Sequence, residues 1–445
     1  MTYYTAEWIN TGTEHLRDHY IEVHQGVIVT ISPLKELSPR AFRDMIAFED
    51  ALITPGLINT AISASLWRHQ PLLSQSSNTS LIDNSLESHA SLFASALACY
   101  AEQARQGVTT VLDWSLAEWA HRHAHRPVFE SDFAQKLIPA LIRAARQVGI
   151  RLSIAMPVME SQHWAESSKQ WGLLEAMTFE GSQDSGREMT SLSWILAIQD
   201  ASDWSKWQEA FRHAPVRGAV IWWLKQPDVL PQTFDKLELL FSAPQTVAAQ
   251  SAGWLAEAKL PQGWYRLLGQ SDLFSASQPK SDLAIANKSS HLCLTSGWQA
   301  SPYRFSIAQT LKWATAIGML SKPSFQSVTE HAAHVLQHPI GKLQPGSLAD
   351  FAVLDLEHPS LMPSMISQAP HFDLNRWLIS AWDPSALKTV LVGGHKVYHL
   401  GAWQHVQESH LASLLAESHN ASGGLEPSSS ANHFKKHGQI SLSGA

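Results

Sequence analysis

Between residues about 55 and 335 the sequence alternates short apolar runs rich in β-branched residues with longer helical patterns, and this alternation limits what the chain can fold into. "GVTTVLDWS" and "IRLSIAMPVM" read as strands. "SHASLFASALACYAEQARQ" and "LIPALIRAARQVG" carry apolar residues at helical spacing. Repeated strand-helix units put neighbouring strands in parallel, so an open parallel sheet or a closed barrel is expected. Both ends are different in texture. In "HYIEVHQGVIVTISP" (19 to 33) apolar residues at Ile21, Val23, Val27 and Val29 suggest two short strands joined near Gly26, and "LKTVLVGGHKVYHLGAW" (387 to 403) reads as a hairpin turning at Gly393-Gly394. The two β-rich ends are expected to pair into one small domain.

A chain of 445 residues is long enough for a barrel with an accessory domain. Its 44% hydrophobic and 16% charged residues describe a globular protein. The net charge of -7 offers no basic face for nucleic acid. No basic leader followed by an apolar stretch opens the chain, and no run of about 18 apolar residues is long enough to span a bilayer, so a cytoplasmic protein without membrane contact is expected. Only Cys99 and Cys293 are present, which excludes a disulfide framework and a cysteine-rich zinc site. The 18 tryptophans read first as large core or interface residues. The last stretch, rich in Ser and Gly, is expected to be a disordered tail.

Certain segments resemble the amidohydrolase superfamily: "ALITPGLINT", "GVTTVLD", "IGKLQPGSLADFAVLDLEHPSL" and "VLVGGHKV". Within it the chain is similar to the aminohydrolase and deaminase branch. "ALIRAARQVGIRLSIAMPV" and "DLNRWLISAWDPSALKTVLVGGHKV" are most similar to the N-formimidoylglutamate deiminase group. The resemblance implies an α/β fold, a (β/α)8 TIM-like barrel with a small composite β-domain built from the N- and C-terminal segments. The expected division is 1–54 and 339–410 for the two parts of the β-domain, 55–338 for the barrel, and 411–445 for a helix end and tail.

The resemblance also implies a metal-dependent hydrolase of non-peptide carbon-nitrogen bonds. A divalent ion at the barrel mouth lowers the pKa of bound water and supplies hydroxide, and it needs three or four N or O ligands on strand ends. In the family these are a His-x-His after the first strand, a His after the fifth, usually one after the sixth, and an Asp after the eighth. Here Ala61 and Ser63 stand at the first pair. The fifth and sixth strands are expected in and around "APQTVAAQSAGW" and "QGWYRLLGQSDLF", and no histidine occurs between His213 and His291. Ser296 or Gly297 stands at the aspartate, with no Asp or Glu between Asp282 and Glu330. The branch's general acid/base Glu is expected around "VAAQ", where Ala249 and Gln250 stand.

Other places for chemistry are weaker. In "AHRHAHRP" the residues His121, His123 and His125 would share one side of an extended segment and suit zinc; a solvated loop is the plainer reading. Lys225 at the end of "AVIWWLK" reads as a snorkelling lysine. Asp113 either faces the mouth or caps a loop. His331 and His334 read as surface or packing residues, and Cys293, with His291 on the same strand face, as a buried structural thiol.

Two classes of function follow. The first is a degenerate member without metal cofactor or hydrolytic activity, acting as a binding or regulatory protein. Its mouth would be lined by Ala61, Ser63, Asp113, Ser115, Trp222, Trp223, Ser296 and Trp298 and would take a small molecule. The second is an active hydrolase holding zinc or iron through unusual ligands. A homo-oligomer, or a hetero-oligomer with an active homologue, is compatible with the first.

Overall fold

The computed structural model describes residues 1–69, 88–123, 128, 131–170, 189–198, 202–213, 219–224, 246–249, 265–268, 292–296, 306–316, 325–361 and 374–421. The first segment is β-rich: β1 (Thr2–Asn10), β2 (His15–Leu16), β3 (His19–His24), β4 (Val27–Pro33), α1 (Pro39–Arg43) and β5 (Ile46–Pro55). Strands and helices then alternate through β6 (Leu57–Ile62), α2 (His89–Arg105), β7 (Val108–Asp113), α3 (Ser115–Arg122), α4 (Asp132–Val148) and β8 (Arg151–Val158). They continue through β9 (Thr190–Ile198), α5 (Asp203–His213), β10 (Ala219–Leu224), β11 (Thr246–Ala249), β12 (Tyr265–Leu268), β13 (Leu292–Leu294), α6 (Ile307–Ala316) and α7 (Glu330–Leu336). The last described segments hold β14 (Phe351–Asp355), α8 (Leu374–Ala381), β15 (Leu387–Val392), β16 (His395–His399), β17 (Ala402–Trp403) and α9 (Glu408–Ala421).

The two chain ends do pair. One sheet runs β17-β16-β15-β14-β5-β1-β3-β4, with β2 beside β1. Its centre is β5, parallel to β1 and antiparallel to β14, with Ile53 opposite both Ile9 and Val353. The β15–β16 hairpin turns where expected: Gly393 and Gly394 both have positive φ (55° and 75°), as a two-residue turn matched to strand twist requires.

Chain direction passes from this sheet to the second through Pro55-Gly56. A Cβ on Gly56 would lie 2.2 Å from the Thr109 side chain, so only glycine lets β6 start flush against β7. The second sheet is parallel throughout, in the order β6-β7-β8-β9-β10-β11-β12-β13. Residues alternate between its faces: Leu152, Ile154 and Met156 of β8 join the large apolar layer under the helices, while Ala155 joins a smaller cluster with Ile58, Leu112, Ile195, Ile221, Leu267 and Cys293. That smaller cluster draws residues from seven strands, Ile58 and Ala61 both from β6, so the sheet is curled around a packed apolar centre.

The structure departs from a closed (β/α)8 barrel at one seam. Among the described residues no backbone ladder joins β13 to β6; side chains bridge the two strands instead. The strand count also moves. The fifth strand is β10, "AVIWWL", so "APQTVAAQSAGW" supplies the sixth and "QGWYRLLG" the seventh. The reason is β9, whose nine residues add a strand before position 215. The absence of histidine from 214 to 290 is unaffected. Gln250 and Lys225 lie outside the described residues, as does the tail beyond 421.

Opposite the ends of the strands, α7 seals the sheet's floor, placing Ala332, Ala333, Val335 and Leu336 against the same apolar centre. Beside it, Arg151 at the start of β8 meets Asp350 in a buried two-pronged ion pair, its second prong 3.0 Å long. Asp350 Oδ1 also accepts from Gly393 N at 2.7 Å, which ties the floor to the hairpin of the other sheet. No helix among the described residues is long and apolar enough to cross a membrane.

Candidate functional site

Parallel strands of a curled sheet deliver their last residues to one rim, where such folds carry their chemistry. Here the rim is built where β6 and β7 end. Ala61 is fully buried within the apolar centre. Ser63, also fully buried, donates from Oγ to Glu118 Oε2 of α3 at 2.6 Å. A methyl group has no lone pair to offer a metal, and a serine hydroxyl spent on a carboxylate is a poor substitute for imidazole.

Asp113 turns away from the centre. Its carboxylate accepts from Tyr100 Oη of α2 at 2.9 Å, from Ala64 N at 3.2 Å and from Ser115 N at 2.8 Å. Burial raises its pKa, and the donors from Ser115, Tyr100 and Ala64 oppose that rise. Ser115 Oγ in turn accepts from Ser65 N at 3.0 Å, and Trp114 N donates to Ile62 O at 2.6 Å. Asp113 and Ser115 therefore lock the turn after β6 to the turn after β7. The helical start at Ser115 owes its first-turn N–H partner to Asp113, a capping arrangement from one step outside the helix.

Across the seam, Ser296 and its neighbour do similar work. Asn59 Nδ2 donates to Ser296 Oγ at 2.8 Å and to Gln103 Oε1 at 2.9 Å. Asn59 Oδ1 accepts from Thr295 Oγ1 at 3.0 Å and from Ser296 N at 3.2 Å. Thr295 Oγ1 also reaches Ala61 O at 2.9 Å. One buried asparagine thus substitutes for ladder bonds between β6 and β13. The position that would hold a metal-binding aspartate holds the end of this staple.

Cys293 lies beneath, with Thr60 Oγ1 3.3 Å from its sulfur; burial pushes its thiol up to about 12, so it stays protonated and inert as a nucleophile. Over the same corner stands Trp114, 1% exposed, whose Nε1 donates to Thr60 O at 3.0 Å. Its indole belongs to the apolar centre together with Ala61 and Ala117.

The remaining expected residues fall elsewhere. Trp222 is fully buried on the helix side of the sheet, its ring 4.9 Å from that of Trp204 and 6.1 Å from Trp207 and Phe211, not at the rim. The side chain of Trp223 and all of Trp298 lie outside the described residues. "AHRHAHRP" is not extended where it is described: His121 sits in the last turn of α3 and His123 just past it, stacked on Trp119 with Nδ1 2.9 Å from Trp119 O. His125 lies outside the described residues. His331 Nδ1 meets Leu292 O at 2.8 Å, and His334 is an exposed partner of Glu330.

Sequence reasoning did not single out Asn59, Tyr100, Gln103 or Trp114. The available signal was Ser95, Tyr100 and Gln103 recurring among the buried apolar residues of α2, since a buried polar residue on a helix needs a partner. Among the described residues no group of three or more His, Cys, Asp or Glu is placed to hold a metal ion. The donor set at the β6, β7 and β13 ends does not fit a catalytic divalent metal.

No protein-family model and no curated protein matches the sequence. Solved structures do match in fold. An adenosine deaminase from Xanthomonas campestris with bound zinc is 14% identical, with 94% of this chain and 98% of that one covered at a TM-score of 0.66. The atrazine chlorohydrolase TrzN from Arthrobacter aurescens TC1, complexed with zinc, is 14% identical, with 94% and 100% covered at 0.65. An amidohydrolase from Brucella melitensis is 12% identical, with 95% and 99% covered at 0.65. At such identities the shared property is the fold alone.

Proposed function

We propose that this amidohydrolase-fold protein is a degenerate member that has lost the hydrolytic metal centre and works as a binding or regulatory protein. The observation that carries the reading is the use of the ligand positions. Ala61 is apolar packing, Ser63 is bonded to Glu118, and Ser296 is bonded to Asn59. The fifth and sixth strands have no histidine to offer, since none occurs from 214 to 290. Zinc enzymes of this fold, such as the deaminase and the chlorohydrolase above, carry out hydrolysis that this chain would not perform. What it retains is a rigid rim on which a small molecule or a partner chain, a second copy or an active homologue, would sit.

The test is the metal content of the protein purified without a histidine tag after growth with zinc, iron and manganese, read by inductively coupled plasma mass spectrometry. Essentially no metal per chain is expected. Close to one equivalent would overturn the reading and favour an active hydrolase of carbon-nitrogen bonds, deaminase-like, with unusual ligands. Ala61→His with Ser63→His is expected not to restore tight, stoichiometric zinc, because two imidazoles without their distant partners do not complete a tetrahedral site.

A further inference from the structure

The rim is not an empty version of a metal site; a side chain of the protein lies in it. Trp114 follows the last residue of β7, where a parallel sheet of this kind directs side chains over the strand ends. It is 1% exposed, and its Nε1 is 3.0 Å from the carbonyl oxygen of the Thr60–Ala61 peptide. The indole is therefore held against the backbone that would carry the first metal ligand. It shares its apolar cluster with Ala61, Ala117 and Ala155, and Ala61 has no exposed surface. With Ala61 and Trp114 both buried in one closely packed cluster, a larger residue at 61 would compete with the indole for space.

We propose that Trp114 is a built-in occupant of the rim at the β6–β7 corner, and that the space it fills accepts a flat aromatic N–H heterocycle of indole size. This rests on the reading of the rim as a lost metal site. The N–H of the occupant meets the Thr60 carbonyl, and the ring replaces what a substrate and metal would otherwise fill. In the native protein a ligand of this kind enters the corner only when the Trp114 side chain leaves it, so the contact is autoinhibitory toward the rim.

Two measurements test it together. In Trp114→Gly, indole is expected to bind and raise the midpoint of thermal unfolding, by about 2 °C or more at ten times its Kd. Indole is expected to bind about three-fold or more tighter than benzofuran, which lacks the donor for Thr60. The wild-type protein is expected not to respond. Should Trp114→Gly fail to fold, Ala61→Leu is compared in the wild-type and Trp114→Leu backgrounds. A loss of several degrees in the first and little or none in the second is expected, because the two side chains compete for one space. Equal losses in both backgrounds, or no indole response in a folded Trp114→Gly, would overturn the occupant. Metal in the wild type with the Ala61 and Trp114 coupling intact would sink the lost-site reading alone, so the two failures are distinguishable.

Discussion

Asn59 shows how much one residue can hold. Buried, it donates to Gln103, accepts from Thr295, and both donates to and accepts from Ser296, 237 positions away in the chain. Replacing it with leucine would remove the acceptor of the Ser296 N–H and the amide donor to Gln103 and Ser296, leaving Ala61 O to take the Thr295 and Ser296 hydroxyls. Each unsatisfied group costs about 1–3 kcal/mol. Asn59→Leu is expected to destabilise the protein by roughly 3 kcal/mol or more in urea unfolding, with Asn59→Asp no better because it loses the amide donor to Gln103 and Ser296 and buries a charge. A loss below about 1 kcal/mol would show that the seam is held by something else. That Ala61 and Ser63 bring no imidazole to the end of β6 was legible from the sequence, because ligand identity is a property of single residues. The staple was not: asparagine in an apolar strand carries no sign of which strand it will reach, and Trp114 looks like any other core tryptophan.

At the scale of elements, the sheet and its helices were readable wherever the periodicity was long. α2 and α4 begin at Ser88 and Ser131, whose side chains accept from Ser91 N and Ala134 N, and α4 ends at Gly149 in the left-handed region. The alternating histidines, read as a solvated loop that could hold zinc only if extended, begin instead on α3, which forms because its own amphipathic face buries Leu116, Trp119 and Ala120 against the outer layer. Similarly, Trp222 was assigned to the rim from sequence, but strand alternation sends it to the helix side, where it packs with Trp204, Trp207 and Phe211 of α5. Trp222→Ala is expected to cost about 3–5 kcal/mol, as other large-to-small core changes do, and to leave indole binding in the Trp114→Gly background unchanged. A loss of that indole binding would place the two tryptophans in one cavity, contrary to their burial on opposite faces of the sheet.

Over the whole molecule, the pairing of the two chain ends was legible because each end carries its own alternation and turn residues, while the open seam was not, since ladder closure depends on curvature that no local pattern encodes. The floor adds a pH response. His338 Nε2 is 2.7 Å from Ser191 Oγ, and burial, with the Arg151 guanidinium nearby and Asp350 partly opposing, lowers its pKa to about 4. The unfolded chain then takes up this proton near 6.5 and the folded one near 4, so the folded state is fully favoured above 6.5 and loses stability as pH falls through that window. Urea midpoints measured from pH 7 to 4 are expected to fall, and His338→Gln, which keeps a partner for Ser191, is expected to flatten the decline. An unchanged slope between pH 6.5 and 4.5 in that variant would show that His338 does not carry the acid sensitivity there, a window above the one in which Glu330 acts. Glu330 is held at about 2 by His334 and Lys342 against the cost of its burial, and its contribution is lost below about 4.5.

β5 takes its partner β14 from three hundred residues later, Ile53 against Val353. At synthesis rates of about 5–20 residues per second, the growing chain exposes one edge of its central strand for roughly 15–60 s before the covering strand emerges. Every ribosome making this protein therefore carries a long-lived sticky edge, and the cell must supply a holding factor or tolerate aggregation whenever translation slows between those two strands.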